Sequence, residues 1–230
     1  MMGKLPKIKK ENLSESVYHS IRSSLMDGRY APGERLTIAG LANQLGVSIT
    51  PVREAIFRLV TERALEMKAA TSIHVRSLNA EELREIQMIR KHLEGEAAAQ
   101  AAYRMTPRAL QDLERLQERF MAAAASNPIL AAQLNREFHF SVAEAAGMPL
   151  LYATIGSMWA QMGPLIHLYL SKTPAREIVS SQHGHYNVLK ALAAKDADAA
   201  RRAIQKDIGV GSVIVEWLEA KALQEAALSA

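Results

Sequence analysis

Four residues open a helix where a nucleic acid could be read. Ser48, Ile49, Thr50 and Arg53 follow the turn Gly46-Val47-Ser48 and begin the second of two short helices. The turn glycine lets that helix cross the first, with Leu41, Ala42, Leu45 and Val47 sealing the contact, so the pair reads as a helix-turn-helix. Such a unit places the first residues of its second helix against base edges in the major groove. Thr50 can bond a phosphate or a base. Arg53 reaches a phosphate or both acceptors of a guanine, and the helix N-terminus itself favours an anion.

The charge distribution agrees with that chemistry. Net charge is +4, but residues 1–76 carry twelve Lys and Arg against seven Asp and Glu, and the remainder sixteen against seventeen. This asymmetry favours a polyanion-binding N-terminal module joined to a near-neutral second part. The chain has no cysteine, which excludes a disulfide framework, a thiolate metal site and a Cys nucleophile. With 49% apolar and 23% charged residues it can bury a sizeable core, so general disorder is excluded, and 230 residues suit two domains. No apolar run reaches membrane-spanning length, and no apolar stretch follows the basic N-terminus. The expectation is a soluble, cytoplasmic protein with no membrane partner.

The elements that hold these residues follow from periodicity and punctuation. Leu13, Val17, Ile21 and Leu25 recur every four positions, one stripe of a helix over 13–26, with Ser14 and Ser16 as candidate N-caps. Gly28 and Ala31-Pro32-Gly33 end it. Thr37 can cap a short helix running to Leu45; Gly46 breaks it, and Ser48 can cap the next, which tolerates Pro51 in its first turn and ends near Arg63. Leu65–Lys68 and Ile73–Val75 read as a small hairpin. Beyond residue 76 the texture becomes helical, over about 80–104, 107–125, 128–146, 149–171, 174–194 and 196–224. The fold class is therefore mainly α: a winged helix-turn-helix over 1–76, then an all-α bundle of about six helices over 77–230.

The string Gly28-Arg29-Tyr30-Ala31-Pro32-Gly33-Glu34-Arg35-Leu36, followed by Leu41-Ala42-x-x-Leu45-Gly46-Val47-Ser48-x-Thr50-Pro51-Val52-Arg53-Glu54-Ala55, resembles the winged-helix domain of GntR-family bacterial transcription regulators. The resemblance covers about residues 13–76 and implies that the second helix reads DNA and the hairpin is a wing. Arg35 and Lys68 then join Ser48, Ile49, Thr50 and Arg53 as expected DNA contacts. Three positions depart from the family pattern. Ile49 replaces a usual Arg, Ala64 a usual Gly before the wing, and Ser72 the wing-tip Gly. An Ile facing the bases can rest on a thymine methyl, so the departure implies an altered operator.

Residues 77–230 are similar to the FCD domain of the FadR-like branch, through Arg90-x-x-Leu93-Glu94-x-x-Ala97-Ala98, Asn135-Arg136-Glu137-Phe138-His139-Phe140, and His185-x-x-x-Leu189-x-Ala191-Leu192. The resemblance implies effector binding and homodimerisation. It also implies a divalent metal (Zn, Ni or Mn) carried by Asn135, His139, His185 and Asp207, the last standing where the family has His. Residues i and i+4 share a helix face, so Asn135 and His139 can meet one ion. Asp in place of His adds charge and hardness and favours Mn or Mg. The other reading of these histidines is a hydrogen-bonded core. His183 is expected in a supporting or surface position, while His167 and Tyr169 either line the same cavity or serve structure. Arg90 either pairs with an effector carboxylate or forms an ion pair with Glu94 one turn on. The Ala runs read as close helix contacts.

These residues lead to a ligand-responsive regulator, by family habit a repressor. It is expected as a homodimer on a pseudo-palindromic double-stranded operator, sensing a small carboxylate metabolite directly or through the metal. Two other classes stand beside it. One is a metal-dependent enzyme on the bundle, disfavoured because no nucleophile or general base accompanies the ligand set; the other is an architectural DNA-binding protein with a purely structural bundle.

Overall fold

The computed structural model describes residues 13–69, 72–124, 126–173 and 183–228. The fold is mainly α. The N-terminal elements are α1 (Leu13–Met26), β1 (Arg35–Leu36), α2 (Ile38–Leu45), α3 (Ile49–Thr61), β2 (Leu65–Ala69) and β3 (Ser72–Val75). The α1 stripe is buried as expected, but Ser14 and Ser16 lie inside the helix rather than ahead of it, and the Ser14 hydroxyl binds the Glu54 carboxylate on α3. Thr37 caps α2 by accepting from the Gly40 N–H at 3.1 Å. Gly46, with φ at 65°, takes the left-handed conformation that turns the chain into α3. Ser48 stands at the α3 N-cap position with no side-chain cap, which leaves its hydroxyl available to a ligand. The third helix stops at Thr61, and Arg63 is left-handed at φ 59°.

The hairpin pairs antiparallel, with Leu65 opposite Val75 and Met67 opposite Ile73. A strand not read from the sequence, β1, adds to its other edge, with Arg35 opposite His74 and Leu36 opposite Ile73. Two residues carry too short a pattern to announce themselves; their partner strand makes them one. Ile21, Leu25, Val52, Ile56, Leu59, Leu65, Ile73 and Val75 fill the core beneath.

The second part holds α4 (Ala80–Arg104), α5 (Pro107–Ala124), α6 (Pro128–Ala145), α7 (Pro149–Lys172), α8 (Gly184–Ala193), α9 (Ala197–Gly209) and α10 (Ser212–Leu228). The stretch expected as one helix over 196–224 breaks at Val210-Gly211. The stretch expected over 174–194 is described only from His183 onward, and residue 125 also lies outside the described residues. Asn79 and Glu82 form a reciprocal capping box at the start of α4, at 2.8 and 3.0 Å. The run Ala97-Ala98-Ala99 and Ala101-Ala102 is buried, because α4 is the central helix and small side chains let its neighbours approach. One core lies between α4, α5, α6, α8 and α9, around Leu116, Phe138, Leu192 and Ile204; a second lies between α4, α7 and α10, around Leu83, Ile155, Trp159 and Val215.

The two parts meet along α1 and α7. Ala160 of α7 sits in the N-terminal core. Asp27 pairs with Arg136 at 2.8 Å, Arg76 donates to Gln161 at 3.3 Å, and Gly163 approaches the end of α1. Among the described residues, no helix is long and apolar enough to cross a membrane.

Candidate functional site

The inner site is assembled from α4, α5, α6, α8 and α9. His139 projects from α6 into the bundle, where its Nδ1 meets Glu94 Oε2 at 2.6 Å and its Nε2 meets Asp207 Oδ2 at 3.1 Å. A ring between two carboxylates donates from both nitrogens. Burial opposes its charged form, yet Glu94 and Asp207 raise its pKa to about 9. Burial alone would raise the Glu94 carboxyl, but Arg90 and His139 outweigh it and hold it down to about 2. Asp207 is likewise brought to about 2 against burial, by the hydrogen bond and charge of His139 with help from the other histidines.

His185 sits opposite. Its ring stacks on Phe138 with centroids 3.8 Å apart and planes at 4°, and its Nδ1 lies 2.6 Å from Gln117 Oε1. A carbonyl oxygen only accepts, so Nδ1 carries the proton and Nε2 presents a lone pair. That Nε2 is buried without a hydrogen-bond partner and faces Asp207 Oδ2 at 3.7 Å, one acceptor against another. Burial holds the His185 pKa well below its ordinary value, with His139 and His183 adding to it and Asp207 opposing.

A divalent cation fits this arrangement. The donor atoms of His139, His185 and Asp207 lie within 4.8 Å of one another. Bonds of about 2.0–2.2 Å place neighbouring ligand atoms about 3–3.5 Å apart, close to the 3.1 and 3.7 Å separations from Asp207. Both imidazoles are held at Nδ1 by an acceptor behind them, the outer support that metal-binding histidines need. The orphaned Nε2 of His185 is the atom a cation would satisfy. Gly184 belongs to the same geometry, since a Cβ there would overlap the Asp207 carboxylate.

Asn135, expected as a ligand, lines the adjoining cavity beside His139 and Asp207, and its side chain makes no hydrogen bond among the described residues. Arg90 resolves toward its structural alternative while keeping its place in the wall. It is buried, its Nε lies 2.6 Å from Glu94 Oε1, and its guanidinium stands 4.1 Å over the Trp159 ring. Trp159 Nε1 also donates to Glu94, at 3.2 Å. His183 precedes α8 as its N-cap, accepts from the His185 N–H at 3.3 Å, and lines the cavity next to that residue. His167 and Tyr169 separate. Tyr169 lines the cavity, whereas His167 lies against Gly28 at the contact between the two parts. Sequence reading missed Gln117 as a support, gave Glu94 no part in the site, and overlooked Trp159. Only Glu94 had a visible signal, its i+4 relation to Arg90.

A second surface lies on the N-terminal part. Ser48 at the N-cap and Ile49, Thr50 and Arg53 along the outer face of α3 are all exposed. Arg58 is spent internally, 2.8 Å from Glu15 and stacked 3.6 Å over Tyr18, while Arg53 and Arg35 make no ion pair among the described residues and share a groove. Lys68 on the wing is exposed and pairs with Glu66 at 3.1 Å. Phe57 and Met67, not foreseen, extend the groove as exposed apolar groups, 52% and 38% accessible. An unpaired guanidinium beside a helix N-terminus suits a polyanion.

Comparisons with known proteins find relatives for both parts of the chain. Residues 13–75 match the model of bacterial regulatory proteins, gntR family, and residues 85–209 that of the FCD domain. The HTH-type transcriptional regulator McbR of Escherichia coli K12 is 36% identical over 200 residues, 86% of this chain and 90% of the relative. The HTH-type transcriptional repressor RspR of the same strain is 23% identical over 197 residues, 85% and 86% of the two chains. The solved structure of E. coli McbR/YncC superposes with a TM-score of 0.82 at 31% identity, covering 92% of this chain and 99% of that one. A putative GntR regulator from Rhodococcus sp. RHA1 shares the fold, with a TM-score of 0.69 at 19% identity over 88% and 96%. These relatives are named as transcription regulators, not enzymes.

Proposed function

Because this chain belongs to the gntR family of bacterial regulatory proteins and carries an FCD domain, we propose that it is a transcriptional repressor released or engaged by a small carboxylate metabolite. Residues 1–76 hold a pseudo-palindromic operator through Arg35, Ser48, Ile49, Thr50, Arg53 and Lys68. Residues 77–230 bind the effector and pair two copies. The sign follows RspR, a relative named as a repressor.

One observation carries the coupling. Helix α7 has two faces: Trp159, Met162 and Ile166 line the cavity, while Ala160 and Gly163 are set against the DNA-binding module. A ligand that moves the first face must move the second, because packed interiors have discrete rather than continuous arrangements. Unequal affinity for two such arrangements, worth about 1–3 kcal/mol, changes operator affinity about 5–150-fold.

His139, His185 and Asp207 would hold a divalent ion, with Asn135 at its edge. When bound, the ion supplies a fixed positive charge that attracts carboxylate oxygens. Glu94 and Gln117 orient the imidazoles, and Arg90 keeps Glu94 ionised. The site is read as one of recognition because the relatives are named as transcription regulators.

The test is a mobility shift with duplexes selected from a random pool, with and without short carboxylates. Sequence-specific binding that responds to a ligand is expected. Binding that tolerates any sequence and ignores every ligand would overturn the reading, as would no binding at low salt.

A further inference from the structure

Phe57 breaks the pattern of a solvated helix face. It is 52% accessible on α3, and Met67 on β2 of the wing is 38% accessible in the same groove. Single exposed apolar side chains are ordinary, but these two are joined in one wall by Ile38 of α2 and Ile73 of β3. Neither Phe57 nor Met67 belongs to the core, which closes beneath them through Ile56, Leu59 and Leu65.

Cationic groups border this apolar strip. Arg35 of β1 and Arg53 of α3 line the groove, are exposed, and make no ion pair among the described residues. No Asp or Glu is among the residues of the wall. Free guanidinium groups beside an apolar strip are complementary to a ridge that alternates anions with apolar rings. The backbone of a DNA strand is such a ridge, with phosphate following deoxyribose.

Position on α3 selects the backbone over the bases, given the reading of α3 as the helix that enters the major groove, on which this inference rests. Phe57 stands eight residues beyond Ile49, about 12 Å along the helix axis and turned about 80° from it. A recognition helix meets base edges with its first residues, and the major groove is about 12 Å wide. Phe57, two turns further on and beside the wing, then falls at the rim of the groove, where a strand passes. Arg53 lies one turn from each, between Ile49 and Phe57.

We infer that Phe57 and Met67 clasp a deoxyribose of one operator strand, next to a phosphate held by Arg35. The clasp adds affinity without reading sequence, because the sugar is the same at every base pair. It also fixes the register in which Ser48, Ile49 and Thr50 meet the bases.

The experiment is hydroxyl-radical footprinting, which reads the exposure of each deoxyribose, on a duplex recovered from a random pool with the full-length protein. Phe57→Ala and Met67→Ala are each expected to lose protection at the same one or two nucleotides of each half-site. Phe57→Ala should weaken binding about threefold to tenfold, the contribution of a half-exposed ring. Its salt slope should be unchanged, because no charge is removed, and it should recover the same sequences from the pool. Phe57→Leu should retain most of the protection, and thermal unfolding checks that the variants fold. An unchanged footprint and affinity in Phe57→Ala would overturn the inference. Loss of protection at different nucleotides in the two Ala variants, or a changed set of recovered sequences, would do so as well. Wild-type protein that binds no duplex would remove the operator reading itself. Wild-type binding with an unaltered Phe57→Ala variant removes the clasp alone.

Discussion

Gly163, midway along α7, stands so close to Met26 at the end of α1 that a Cβ in its place would lie 2.6 Å from the Met26 Cα and 2.6 Å from the Leu25 carbonyl oxygen. Both obstacles are backbone and cannot rotate away. Gly163→Ala is expected to push α1 from α7 and cost about 1–3 kcal/mol, the range for overpacking a close contact. Urea unfolding of the variant measures this. An unchanged midpoint would mean that the helices are not held against each other here.

The carboxylate–imidazole–carboxylate chain predicts how ion-free protein responds to pH. His139 has its pKa raised to about 9, so its contribution is fully present below the unfolded value near 6.5 and is lost as pH rises from there through about 9. Glu94 and Asp207, lowered to about 2, contribute above their unfolded values and lose that contribution as pH falls through about 2. Thermal midpoints of chelator-treated protein should therefore fall between pH 6.5 and 9. With divalent ion present the alkaline loss should shrink, because the ion competes with the His139 proton and binds more tightly as pH rises. A midpoint flat across this range in the ion-free protein would contradict the pairing.

Ion uptake separates the ligands from the wall. Asp207→Asn and His185→Ala should each abolish retention of Zn, Ni or Mn by the purified protein, measured by elemental analysis. Asn135→Ala should weaken retention without abolishing it, since Asn135 offers a neutral oxygen. Wild-type protein with ion at about a hundredfold above Kd should gain about 2.7 kcal/mol in stability. Equal retention by wild type and Asp207→Asn would remove the site.

On the DNA face, Arg53→Ala should cost about 1–3 kcal/mol and relax preference at one position, as an unpaired guanidinium on the reading helix implies. Lys68→Ala should weaken binding evenly across sequences and reduce the salt slope by about one at most, because Lys68 is exposed and shared with Glu66. Ile49→Arg should change the sequences recovered in a selection; identical sequences would show that Ile49 does not face bases.

Much of the frame was legible because local rules and packing agree. Leu13, Val17, Ile21 and Leu25 are buried in one stripe, Thr37 caps where it was expected to, and α4 runs over Ala80–Arg104 as its periodicity indicates. The failures share a cause. Strand β1 exists only because β3 lies beside it, and the break at Val210-Gly211 carries no proline. In the site, His139, His185 and Asp207 do converge, but Glu94, Gln117 and Trp159 support them through hydrogen bonds spanning 45 to 68 positions of sequence. No periodicity encodes such distances.

Gly184 carries a consequence for descent. The volume that a Cβ would take there is filled by the acid at position 207, so a change at one position is felt at the other. The acid at 207 keeps its present seat only while 184 is bare backbone. A lineage that acquires even a methyl group there has to reseat or exchange that acid, and with it the cations it can select.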